Sequence, residues 1–105
     1  MLEKVNFKEL KGLYLTNNKI SDIKVLAKIR CSNLEILDLS GNKISNIKIL
    51  EFVNFKQLKS LYLNYNEIYD IRVLGNVAFD KLETLYLNLN KIEDINILEK
   101  VNLKN

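Results

Sequence analysis

Three aspartates recur at multiples of 24 residues, and this regular spacing makes them candidates for a functional site. They are Asp22, Asp70 and Asp94. Carboxylates brought together on successive turns of a repeat could bind Ca²⁺. A simpler interpretation is that each begins a short helical turn, as Asn46 does at the same spacing, because a short side-chain oxygen can accept from an unpaired backbone N–H. We therefore predict a structural role for these residues and no metal site.

Catalysis has little support in the residue types present. The sequence has no histidine, no glycine-rich phosphate loop, no cysteine and histidine set at metal-ligand spacing, and no nucleophile with a base beside it. Cys31 is the one cysteine, so it cannot form a disulfide within the chain. We expect Cys31 to be a small buried apolar residue. The sequence therefore predicts a protein that is not an enzyme and needs no cofactor.

The composition indicates a single domain that spans residues 1–105. The chain has 48% hydrophobic residues and a net charge of +3. The lysines are interleaved with acids, so charge gives little reason to expect binding to nucleic acid or to an anionic membrane. No apolar stretch approaches about 18 residues, the length of a membrane span, and no secretion signal opens the chain. These features predict no membrane association and a cytoplasmic location.

A period of 24 residues runs through nearly the whole chain. Four segments read L-x-x-L-x-L-x-x-N, and they are Leu10–Asn18, Leu34–Asn42, Leu58–Asn66 and Leu82–Asn90. A fixed period of this length indicates a solenoid, in which every unit buries its apolar face only against its neighbours. The period divides the chain into a half repeat at residues 1–9 and full repeats at residues 10–33, 34–57, 58–81 and 82–105.

Each repeat is predicted to carry a short strand and a short helical turn. In the segment 58–63 the apolar residues leave Ser60 and Tyr62 pointing to the opposite face, as strand alternation requires. Further along, Ile71, Leu74 and Val77 recur at intervals of three, which predicts an α or 3₁₀ turn. An aromatic column should fill the space before each next strand, at Phe7, Cys31, Phe55, Phe79 and Leu103. The alternating charges Lys11, Glu35, Lys59 and Glu83 should lie side by side across the strands.

The motif resembles that of leucine-rich repeat proteins over all four repeats and the half repeat. Asn18, Asn42, Asn66 and Asn90 match the asparagine whose side chain, in that family, satisfies backbone groups where the chain leaves each strand. The x-I-x-x-I-x-x-L continuation is similar to bacterial internalins and to the phosphatase-regulator type, although this unit is two residues longer. The resemblance implies an α/β right-handed solenoid with short parallel strands on a concave face and short α or 3₁₀ turns on a convex face. It also implies ligand recognition by strand positions of the concave face.

A partner-binding surface is therefore predicted on the concave face. Its residues are Tyr14, Asp38, Tyr62, Asn64, Tyr65, Tyr86, Asn88 and Leu89. Tyrosine offers a large rigid contact with a polar tip and is enriched at binding hot spots. Asp38 interrupts the tyrosine row and could select a basic group on the partner. An alternative is that the tyrosines only stack along the strands and stiffen the sheet.

The two ends of the chain predict self-association. Residues 2–9 and 98–105 share six of eight residues, and no unit with a polar outer face follows the last strand. The predicted open edge consists of Leu82, Leu85, Leu87, Leu98, Val101 and Leu103. Two copies could pair there as a two-fold dimer or assemble head to tail.

The sequence thus favours a non-catalytic module that binds a protein or peptide through a tyrosine-bearing sheet. The first alternative is a structural or self-associating segment of a repeat array, either engineered or excised. The second is the substrate-recognition part of a larger enzyme.

Overall fold

The structure, a computed structural model, describes residues 8–29, 31–77 and 79–96. In these residues, four short strands alternate with three 3₁₀ helices. The strands are β1 (Gly12–Tyr14), β2 (Ile36–Asp38), β3 (Ser60–Tyr62) and β4 (Thr84–Tyr86). The helices are η1 (Lys24–Ala27), η2 (Lys48–Phe52) and η3 (Arg72–Gly75). The predicted strand is present in all four repeats and the predicted turn in the first three, where it is of the 3₁₀ type; the turn of the fourth repeat extends beyond the described residues.

The four strands form one parallel sheet in sequence order. Each residue pairs with the residue 24 positions later, so Leu13 lies beside Leu37, Leu37 beside Leu61, and Leu61 beside Leu85. Because side chains alternate along a strand, this register brings all four leucines to the same face of the sheet. The predicted solenoid of parallel strands and short turns is confirmed.

The core lies between the sheet and the 3₁₀ helices. Leu37, Leu61 and Leu50 are buried in it, and each such side chain contributes about 1.5–3 kcal/mol by leaving water. The aromatic column is buried at Cys31, Phe55 and Phe79. Phe7 and Leu103, the two other predicted members of that column, lie outside the described residues.

Each helical turn begins with a hydrogen bond from the backbone to an aspartate or asparagine side chain. The Oδ1 atoms of Asp22, Asn46, Asp70 and Asp94 accept the N–H of the residue two positions later, at 2.9–3.0 Å. The residue that formally precedes each helix is the following isoleucine, which has no side-chain acceptor. Each of these four side chains therefore accepts its hydrogen bond from one position before the conventional N-cap.

The repeated asparagines join neighbouring repeats. The Asn66 Oδ1 accepts the N–H of Ile44 at 3.0 Å, and its Nδ2 donates to the carbonyls of Leu39 and Leu63, both at 3.0 Å. Ile44 and Leu39 belong to the preceding repeat and Leu63 to the same repeat, so one buried amide satisfies backbone groups of both. Asn42 and Asn90 make corresponding bonds to their preceding repeats.

The alternating charges are neighbours but do not form ion pairs. The Glu35 N–H donates to the Lys11 carbonyl at 2.8 Å, and Lys59 and Glu83 continue the same ladder. In the part of the chain that the structure describes, the one ion pair is Arg72 with Asp70 on the convex face, at 2.7 Å. The alternation therefore places opposite charges on adjacent strands without direct contact.

Candidate partner-binding surface

The concave face is built from the first and third residues of each strand, because the central leucine points into the core. The first positions are Gly12, Ile36, Ser60 and Thr84, and the third positions are Tyr14, Asp38, Tyr62 and Tyr86. The register therefore places the predicted row of three tyrosines and one aspartate on one face of adjacent strands.

Two of the three tyrosines touch each other. The rings of Tyr62 and Tyr86 meet edge to face, with centroids 4.9 Å apart and planes at 81°. Tyr14 is different, since its ring lies back along its own strand: a Cβ added at Gly12 would lie 2.8 Å from the Tyr14 Cε2. The row is thus an aromatic pair in repeats 3 and 4 and a separate tyrosine in repeat 1.

Asp38 already has a hydrogen-bonding neighbour. Its Oδ1 accepts both the backbone N–H of Ser40, at 3.1 Å, and the Ser40 hydroxyl, at 2.6 Å. One carboxylate oxygen is therefore committed to shaping the turn after β2. Recognition of a basic group by Asp38 stays a prediction, and it would have to use this partly satisfied carboxylate.

Tyr65 and Leu89 lie in the turn just after the strands, and both adopt a left-handed backbone conformation. Their φ values are 58° and 60°, and their side chains are 58% and 59% exposed. The same place in repeats 1 and 2 holds Asn17 and Gly41, the residue types that tolerate positive φ best. The left-handed conformation of Tyr65 and Leu89 was not predicted from the sequence, although asparagine and glycine 24 residues apart in the same column were an available signal.

The asparagines of the predicted site differ from each other. The Asn64 Oδ1 is buried and has no hydrogen-bond partner within the described residues. Asn88 is exposed, and its carbonyl accepts the Tyr65 N–H at 3.0 Å, which places Tyr65 beside the turn that carries Leu89. Asn64 therefore brings to this surface a buried acceptor that no described residue uses.

We call the adjoining residues of repeats 3 and 4 the concave patch, and they are Tyr62, Asn64, Tyr65, Tyr86 and Leu89. None of these side chains is charged. The patch offers aromatic and aliphatic area with hydroxyl and amide groups, which suits contact with another molecule. Within residues 8–29, 31–77 and 79–96, no three acidic or cysteine side chains group together as metal ligands would.

The predicted self-association edge stays a prediction, and only part of it lies within the described residues. Leu82 is 1% exposed, so it is buried and cannot contribute to an open surface, which corrects that part of the prediction. Leu85 and Leu87 are partly buried. The other predicted members, Leu98, Val101 and Leu103, lie outside the described residues.

Cys31 is buried, and desolvation raises the pKa of its thiol above the usual value. A higher thiol pKa leaves less of the reactive thiolate at neutral pH. Its environment is that of a packed apolar residue. In the described residues no helix has the length and apolarity needed to cross a membrane.

Comparison with known proteins places this geometry in a family. A family model described as leucine-rich repeat matches residues 8–68, and one for two copies of leucine-rich repeats matches residues 56–100. No curated protein matches the chain. Among solved structures, the chain is similar to two proteins of Listeria monocytogenes strain 4b F2365, internalin C2 and the internalin inlF.

The two similarities differ in strength. Internalin C2 is 29% identical with a TM-score of 0.75, and the match covers 90% of this chain and 39% of that one. The internalin inlF is 31% identical with a TM-score of 0.52, and the match covers 90% of this chain and 34% of that one. This chain thus spans under two fifths of the length of either protein. With a leucine-rich repeat model matching more than half of its length and a solenoid of parallel strands as its fold, the chain belongs to the leucine-rich repeat family.

Proposed function

We propose that this chain binds a protein or peptide through the concave patch and does so without catalysis. Membership of the leucine-rich repeat family suggests a protein-binding module in general. The observation that carries the specific proposal is the pair of large apolar side chains, Tyr65 and Leu89, held exposed at positive φ next to the Tyr62 and Tyr86 rings.

Stability alone does not explain these two residues. A residue other than glycine pays about 1–2 kcal/mol to adopt the left-handed conformation. Asparagine or glycine would lower that cost, and both occur at the same place in Asn17 and Gly41. Exposed tyrosine and leucine also work against solubility. Residues that are costly for folding and exposed to water are well suited to a role in contact with a partner.

The surroundings favour a partner contact that is apolar and uncharged. Tyr62 and Tyr86 add aromatic area beside Tyr65 and Leu89, and buried tyrosines are among the residues that dominate binding energy. The unused Asn64 Oδ1 could accept a hydrogen bond from the partner after a small side-chain rotation. Ser60 and Thr84 border the patch with further hydroxyl groups. We therefore expect a segment with aromatic or branched aliphatic side chains and few charges.

A test can separate this function from a purely structural role. Short random peptides displayed on phage are selected on the immobilised chain, and the selected peptides are titrated by calorimetry. The double variant Tyr65→Asn with Leu89→Gly should bind them at least about tenfold more weakly, a loss of about 1.4 kcal/mol. The same variant should unfold at higher urea concentration, because it relieves up to about 2 kcal/mol of backbone strain.

The matched control is Asn17→Gly, which changes the same turn position in repeat 1 and should leave peptide affinity unchanged. The variant Tyr62→Ser with Tyr86→Ser tests the aromatic pair, and it should lose affinity while keeping its circular dichroism spectrum. Peptides that bind both double variants as well as the original chain would contradict the proposal. Collapse of the fold on removal of Tyr62 and Tyr86 would instead support the interpretation that they only stiffen the sheet.

A second candidate function is self-association through the last described strand. Within the described residues, β4 pairs with a strand on one side only, and Ile95, which continues a column that is buried in the other repeats, is 61% exposed. An unpaired strand edge beside exposed apolar surface can template pairing with another chain. Although β4 contains Tyr86, Ile95 lies outside the concave patch, so a variant of Ile95 can test this candidate separately from peptide binding.

A further inference from the structure

The convex face carries two aromatic side chains that break the repeat pattern. Phe52, the last residue of η2, is 69% exposed, whereas the same place in the neighbouring repeats holds the polar residues Lys28 and Asn76. Tyr69 is 62% exposed, whereas the equivalent positions include Ser21 and Ser45. Neither residue fills the core, and neither follows from the 24-residue period.

Each of these aromatics forms one wall of a groove. Phe52 lines a mostly apolar groove of about 360 Å³ together with Ile23, Ile49, Lys24 and Lys48. The second groove, of about 260 Å³, is lined by Tyr69 together with Ser45, Ile47, Lys48, Asp70 and Arg72. Volumes of this order are typical of sites for small ligands or for a few side chains of a partner. Lys48 lines both grooves, so the two grooves share this residue.

The charges around the grooves differ in how they are satisfied. Arg72 is neutralised by Asp70, with an Nη2 to Oδ2 distance of 2.7 Å. The Asp22 carboxylate accepts the Lys24 N–H at 2.9 Å. The side chains of Lys24 and Lys48 are exposed and form no ion pair with any residue that the structure describes. The charged residues that line the two grooves, Lys24, Lys48 and Arg72 against Asp22 and Asp70, therefore sum to +1.

We propose that the grooves beside Phe52 and Tyr69 are a second docking site, for an acidic peptide segment that places one apolar side chain in each groove and a carboxylate near Lys48. An opposite charge arriving at Lys48 would gain Coulomb energy without breaking an ion pair, because Lys48 forms none with a described residue. A flat anionic membrane is a poorer fit, because the cations that line the grooves are Lys24, Lys48 and Arg72, fewer than the clusters of about four to eight that bind anionic lipid. The site is separate from the concave patch and does not depend on its function.

The probe is a set of synthetic hexapeptides that carry phenylalanine and leucine among glutamates, with the spacing of the two apolar residues varied. They are titrated into ¹⁵N-labelled chain and followed by amide chemical shifts. At least one spacing should give saturable shifts at Lys48, Ile49, Phe52 and Tyr69. Peptides with glutamines in place of the glutamates should bind at least about threefold more weakly, and added salt should remove that difference.

The variants use residues that neighbouring repeats already carry. Phe52→Asn copies Asn76 and Tyr69→Ser copies Ser45, and both change exposed side chains, so the fold should be retained. The double variant should lose at least about tenfold in affinity for the glutamate peptides. Lys48→Gln should reduce the affinity and the salt dependence together. Asn17→Gly, outside both the concave patch and the two grooves, is the control and should bind these peptides like the original chain.

Several results would overturn the assignment. One is the absence of shifts with every spacing, and another is a set of shifts confined to the concave patch. Equal binding of the glutamate and glutamine peptides would remove the role of charge. Binding to phosphatidylserine vesicles that requires Phe52, without peptide binding, would identify a membrane surface instead. A solution mass that rises with concentration and returns to the monomer value in Phe52→Asn would identify a second copy of the chain.

Discussion

Asn66 shows at the scale of one residue how the repeats are joined. Its amide bonds the Ile44 N–H and the carbonyls of Leu39 and Leu63, and all of these groups lie at the interface between two repeats. Replacing Asn66 with alanine leaves buried backbone groups without partners, and each such group costs about 1–3 kcal/mol. We expect Asn66→Ala to lower the free energy of unfolding by about 2–4 kcal/mol, measured by urea denaturation.

Asn18 provides the matched control for that prediction. It occupies the same position in the first repeat, but its described side-chain bond is one exposed contact to the Thr16 carbonyl at 3.0 Å. Asn18→Ala should therefore change the free energy of unfolding by no more than about 0.5 kcal/mol. Similar losses for the two variants would show that the cost arises from the turn itself and not from the link between repeats.

The residue types predicted well which 24-residue columns are buried, because one physical requirement dominates in each column. Leu37 and Leu61 had to be apolar to fill the core, and both are buried. Conformation within a column was harder to predict, since Tyr65 takes the same positive φ as Asn17 although tyrosine does not favour it. Side-chain contacts were the hardest feature to predict. Nothing in the sequence indicated that the Ser40 hydroxyl would donate a hydrogen bond to one Asp38 oxygen.

At the scale of an element, the start of η3 is held by hydrogen bonds and an ion pair between Arg72 and Asp70. The Arg72 guanidinium donates to the Asp70 carboxylate at 2.7–3.2 Å, and the Arg72 N–H donates to the same group at 3.0 Å. These bonds, the side-chain ones first, lower the pKa of Asp70 to about 2. The negative charge likewise raises the pKa of Arg72. The third helical turn therefore begins with a charge pair that the other turns lack in the described residues.

This charge pair predicts a pH dependence. Asp70→Asn keeps an oxygen for the Arg72 N–H, as Asn46 does in η2, and removes only the charge. Because folding lowers the pKa of Asp70, its stabilising contribution should be complete above the unfolded-state pKa of about 3.9 and should disappear as the pH falls to about 2. The difference in unfolding free energy between the chain and Asp70→Asn should therefore be constant above about pH 5 and shrink below it. Urea denaturation followed by circular dichroism measures this difference.

Arg72→Gln serves as the control for the pH experiment. In that background the guanidinium bonds are absent, so Asp70→Asn should alter stability by a smaller amount across the same pH range. A difference between chain and variant that stays constant from about pH 5 to pH 2 would contradict the role of the ion pair.

The type and order of the elements could be predicted from periodicity, but their finer geometry could not. Apolar spacing of three left both an α and a 3₁₀ turn open, and the bonds from Leu26, Leu50 and Leu74 to the carbonyls three residues earlier decide for 3₁₀. The exposed aromatics Phe52 and Tyr69 were missed as site residues. The available signal was that the equivalent positions of other repeats are polar. An aromatic residue at such a position is not required by the fold, so it is a candidate for a functional role.

The proposed self-association concerns the whole molecule, and it has a direct test. If the open edge of β4 and the exposed Ile95 pair with another copy, the solution mass measured by light scattering should rise with concentration. Ile95→Lys should then return the chain to the monomer mass, because a charge on an edge discourages pairing. Leu82→Val, at a buried residue, should leave the association unchanged. A constant monomer mass over the whole dilution series would exclude this function.

The described elements contact each other only in sequence order, strand to next strand and helix to next helix. No interface therefore depends on a particular number of coils. Gene duplication or deletion of two adjacent 24-residue units would keep the alternating charges in sequence and would change only the reach of the surface. Because Tyr65 and Tyr69 lie in the same repeat, the distance between the two aromatic regions stays fixed while evolution, or a protein engineer, adjusts the length of the solenoid around them.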